Sequence, residues 1–167
     1  MEKEKTKKAC GNLVQLKKEY EIFRKKYSLP EFKFMNENFE IENIEFSETE
    51  LFLKMIRKHM TEKIFFVLRG LETFINPQNA PLFMFNVIKS FSESDKERIK
   101  ELYKQLAQYE IEAFGLESAY NENKEAEFIK KFCADWKDIS NDLMKLYDSM
   151  KEGHNKDTKK AVKSYFG

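Results

Sequence analysis

Between Leu51 and Phe91 the chain reads LFLKMIRKHMTEKIFFVLRGLETFINPQNAPLFMFNVIKSF, and no other stretch limits the fold as tightly. Leu53, Ile56, Met60, Ile64, Val67, Leu71 and Phe74 recur at steps of three and four, the period of one helix face. Beyond Ile64 the apolar set widens to Phe65, Phe66, Leu68 and Ile75, which predicts contact from several sides. Asn76-Pro77 ends the pattern, because proline pushes the residue before it out of the helical region. Pro81 can open a new helix, where a missing N–H is not needed. Leu82, Phe83, Met84, Phe85, Val87, Ile88 and Phe91 then leave almost no polar face. The segment 51–91 therefore reads as a buried helical hairpin, with Phe85 and Ile88 on its inner side.

The chain as a whole is rich in charge, 35% against 41% apolar, which suits thin amphipathic helices around that hairpin. Five Gly and three Pro in 167 residues argue for long elements and few turns. The expected fold is all-α, an antiparallel bundle of five to six helices around the 51–91 hairpin. A chain of this length suits a single domain, here spanning 12–152 between a flexible basic N-terminus, 1–11, and a basic tail, 153–167. Lys and Arg number 30 against 29 acids, so no global field recruits nucleic acid or a membrane. Locally the balance shifts: residues 1–27 carry nine basic and four acidic side chains, and residues 31–50 carry one and seven.

The flanking elements follow the same logic. Leu13, Leu16, Tyr20, Phe23 and Tyr27 form a narrow stripe from Asn12 onward, and that seam could be shared between two copies in a homodimer. Ser28-Leu29-Pro30-Glu31 is a capping signal for a short helix carrying Phe32, Met35 and Phe39. The next run, FEIENIEF, alternates like a strand but has no partner strand, so an extended acidic connector is expected. Ser47 to Glu50 is a capping box for the central helix, and Ser94 with Glu97 is preferred over Ser92 with Asp95 for the following one. That helix holds Ile99, Leu102, Leu106, Tyr109, Ala113, Leu116 and Tyr120 on one seam, with Gly115 read as a close helix crossing. After a turn at 121–123, Phe128, Phe132, Trp136, Ile139, Leu143, Leu146 and Met150 line a last helix, with Gly153 as its C-cap.

Chemistry-bearing patterns are sparse. Neither His59 nor His154 follows a glutamate at the di-iron spacing, and no phosphate loop, nucleophile elbow or zinc spacing occurs. His59-x-x-Glu62 reads as a rim pair, and Cys133, between Phe132 and Ala134, as a packed thiol. Glu110, Glu112, Glu117, Glu122, Glu125 and Glu127 crowd the second hairpin and read as a solvated acidic face, with a hard cation as the sharper alternative. Arg57, Lys58, Lys63 and Arg69 give the central helix a basic side that could meet phosphates, those carboxylates or the acidic connector. The amides of Asn76, Gln78 and Asn79 are expected to cap helix ends internally, or else to face a partner.

The expected function is a non-enzymatic helical interaction or scaffold module, binding another protein or a second copy, with no cofactor and no small-molecule substrate. Its candidate surface comprises Arg57, His59, Arg69, Asn76, Gln78 and Asn79. The alternative is a nucleic-acid accessory protein using the basic N-terminal helix and tail, weakly and with steep salt dependence. Isolated cysteines, no signal-type h-region and no long apolar run make a cytoplasmic protein without a membrane span the expectation.

Overall fold

The computed structural model describes the backbone of residues 2–45 and 51–165, and within these the side chains of residues 12–45, 51–78, 80–81 and 84–154. The fold is all-α, with helices packed on one another. The helices are α1 (Glu2–Tyr27), α2 (Phe32–Phe39), α3 (Phe52–Ile75), α4 (Leu82–Ser90), α5 (Glu93–Ser118) and α6 (Glu122–Tyr165). Two single 3-10 turns, Ile41–Asn43 and Pro77–Asn79, complete the described elements, and no strand occurs among them. The capping box expected at Ser47–Glu50 lies outside the described residues. The chain contacts divide into two compact units, Met1–Ile64 with Glu110–Ala134, and Phe65–Tyr109 with Asp135–Gly167.

In the first unit, Leu16, Tyr20, Met35, Ile41, Phe52, Leu53, Ile56, Met60 and Ile64 are fully buried. The α1 stripe is thus largely used inside the chain: the Tyr20 ring meets Phe32 edge-on at 5.5 Å, and Phe23 stacks on Phe52 at 5.1 Å. Helix α1 begins at Glu2 and continues through Gly11 and Asn12, where the spacing predicts a start. Ser28 does not cap α2 from its N-terminal side. It closes α1 with φ 54°, and Leu29 N–H reaches back to Arg24 C=O at 3.1 Å, satisfying a carbonyl of the last turn. Glu40 ends α2 in the same left-handed conformation, φ 55°, and its N–H bonds to Asn36 C=O at 2.9 Å. A 3-10 turn then takes the place of the expected extended connector, burying Ile41 and Ile44.

In the second unit three contacts set an antiparallel register between α5 and α6. Tyr109 Oη donates to Asp135 at 2.6 Å, Arg98 pairs with Asp142 at 3.5 Å, and Ser149 Oγ donates to Asp95 at 3.0 Å. The capping box that opens α5 is Ser92 with Asp95, not Ser94 with Glu97. Asp95 N–H donates to Ser92 Oγ at 3.1 Å, and Ser92 N–H donates to the Asp95 carboxylate at 3.0 Å. Ser149 decides the choice, because only Asp95 can cap α5 and accept from α6 together. Burial disfavours the Asp95 carboxylate, but the bonds from Ser92 and Ser149 outweigh it and hold its pKa below the ordinary range.

The α3–α4 region is less enclosed than the sequence suggests. Leu68 and Leu71 are buried, but Phe65, Phe66 and Ile75 are exposed, at 43%, 78% and 44%. Among the described side chains of α4 Val87 is buried, as is Phe91 directly after the helix, and Phe85 and Ile88 are only half-buried. Phe91 packs edge-on against Phe74 at 5.4 Å, which draws that edge of α4 inward.

Gly115 and Gly153 both depart from the roles expected of them. A Cβ on Gly115 would meet nothing within 4 Å, so no close crossing occurs there. Gly153 does not end α6, which continues to Tyr165. It lies buried against α4, and a Cβ there would stand 1.9 Å from Ser90 Oγ and 2.8 Å from Ser90 Cβ. Gly153→Ala should therefore lower the thermal midpoint although alanine favours a helix by about 1 kcal/mol, since overpacking costs about 1–3 kcal/mol. Gly115→Ala should raise the midpoint, and Ser90→Gly should rescue Gly153→Ala. Equal gains from both alanine variants would refute the close contact.

Candidate functional site

The cation expected at the surface, Arg57, is instead the buried centre of an ion network in the first unit. Arg57 is 2% exposed and Glu125 not at all. Its Nε donates to Glu125 Oε2 at 2.6 Å and its Nη2 to Glu117 Oε2 at 2.9 Å. Glu117 also takes Lys54 and Lys58, each at 3.0 Å. Burial works against the guanidinium charge, but the bonds to Glu125 and Glu117 outweigh it and raise the Arg57 pKa. The same three cations bring Glu117 down to about 2. Glu110 is shifted upward by burial, a pull that Arg57 only partly offsets. One carboxylate oxygen each of Glu110 and Glu125 is buried without a hydrogen-bond partner.

The acidic stretch of the second hairpin is therefore not simply a solvated face. Glu112 pairs with Lys131 at 2.7 Å, and Glu122 with Lys26 at 2.6 Å while also accepting from the Tyr27 hydroxyl. Among the described residues no three His, Cys, Asp or Glu side chains come together as a metal-binding group. Lys63 donates to the Asn38 carbonyl at the end of α2. Basic residues of α3 thus engage the carboxylates of α5 and α6 and the segment after α1, one of the partnerships the sequence allows.

The other expected surface residues separate. His59 lies beside Glu62 at 3.8 Å, longer than a hydrogen bond, as a rim pair on α3. Asn76 and Gln78 are exposed, and no side-chain bond caps the N-terminus of the turn at Pro77–Asn79 or of α4. The side chain of Asn79 lies outside the described residues. Cys133 is buried with its sulfur 3.4 Å from that of Met35, and burial pushes its thiol up to about 12, far from a reactive thiolate. Tyr20 is likewise shifted upward by burial and donates to the Pro30 carbonyl at 2.9 Å.

Arg69, one of the expected residues, borders a cavity. In the second unit α3 and α6 leave an apolar groove of about 510 Å³, walled by Phe66, Thr73, Leu143, Tyr147 and Met150, with Gly70 as its floor. Phe66 is 78% exposed and Tyr147 54%. A Cβ on Gly70 would meet nothing within 4 Å, so the groove is open there. The Arg69 guanidinium stacks 4.3 Å from the centre of the Phe65 ring and has no ion pair among the described residues. The periodicity places Leu143 and Met150 on the core stripe of α6, but the structure leaves both half-exposed along this groove. The one sequence signal was Phe66 lying off the α3 stripe four residues before a glycine.

Comparison with protein-family models, curated proteins and solved structures finds no match.

The ion network yields two measurable consequences. Arg57→Met strands Glu125 and should cost about 3–5 kcal/mol in a denaturant melt. Adding Glu125→Leu should recover most of that loss, and a double variant as weak as the single one would disprove the pairing. The pH profile carries two opposite signatures. The folded pKa of Glu117 is depressed, so its contribution is present above the ordinary 4.5 and lost as pH falls towards 2. That of Glu110 is raised, so its contribution is present below 4.5 and lost as pH rises. Glu117→Gln should flatten the acid limb of a plot of thermal midpoint against pH, and Glu110→Gln the limb above 4.5.

Proposed function

We propose that this chain is a non-enzymatic helical interaction module that receives an amphipathic helix of another protein in the α3–α6 groove. The observation that carries this reading is the groove itself, an exposed aromatic wall, Phe66 and Tyr147, standing over a glycine floor. Monomeric proteins seldom leave apolar surface of this kind uncovered. A groove between two helices accepts a third by apolar anchors at i, i+3, i+4 and i+7. Met150 adds a flexible side chain that re-packs around different anchors. Arg69 is the one charged lining residue, so the incoming helix carries an acidic side chain beside its apolar stripe.

The potentially reactive side chains support the non-enzymatic part of the reading, since Cys133 and Tyr20 are buried and hydrogen-bonded or packed. The nucleic-acid alternative has less support. In the described part of α1, Arg24 already pairs with Glu21 and Lys26 with Glu122.

Affinity capture from the native host with wild type and groove variants tests the proposal. A specific partner should be retained by wild type and lost from Phe66→Asp and Tyr147→Asp. Against the purified partner, Phe66→Ala should weaken binding by about 2 kcal/mol, roughly 30-fold. Arg69→Glu should weaken it further as salt is lowered. A partner retained equally by all variants, or nucleic acid as the captured species, would refute the groove reading.

A further inference from the structure

We draw no further inference here: the strongest candidate, the open cleft between α5 and α6 that Gly115 and Ala119 line in the first unit, carries nothing because nothing in the structure shows what covers it.

Discussion

Much of the first unit depends on one buried ion pair. Removing Arg57 and Glu125 from water costs several kcal/mol per ion, and their attraction offsets this only when the geometry is good. Here it is good on one side only: Glu125 gives one oxygen to Arg57 at 2.6 Å and leaves the other without a partner. The pair therefore adds little net stability compared with an apolar pair of the same volume. What it does supply is discrimination. A turn of α3 about its axis, or a slip of one residue along α6, would leave two full charges buried and separate. Apolar packing of buried side chains such as Ile56, Met60, Ile64, Phe128 and Phe132 tolerates such slips far more readily. Lys54, Lys58 and Glu117 extend the same constraint to the surface, where water makes it cheaper to hold.

How much of this could be read from the sequence depends on whether a residue's neighbours are near it in the chain. The stripes of α3, α5 and α6 were legible, since a helix face is defined by residues three and four apart. Leu53 to Ile64, Ile99 to Ala113 and Phe128 to Ile139 are buried as their spacing implies. What was not legible was where a stripe stops being covered. Leu143 is of the same residue type as Leu146 and lies on the same stripe, yet it is half-exposed along the groove where Leu146 is buried. The glycines make the same point: Gly115 and Gly153 both lie within helices, and only Ser90 decides which one is a close contact. For the capping box the deciding residue is Ser149, far along the chain from Ser92. Arg57 was legible as a cation facing carboxylates, but its burial was not, because Glu125 belongs to another helix.

On the proposed reading, charge rather than shape sets what the α3–α6 groove accepts. The groove places an exposed phenylalanine, Phe66, near a glycine with open space above it, Gly70. Shape alone would let it take any helix, and apolar contact is not selective about whose helix it is. Its charged lining is Arg69 alone, which offers a second copy of the same groove no acid to pair with. As proposed, the groove therefore favours a different chain that carries an acid, and the glycine serves it by keeping the floor low enough for a side chain to enter.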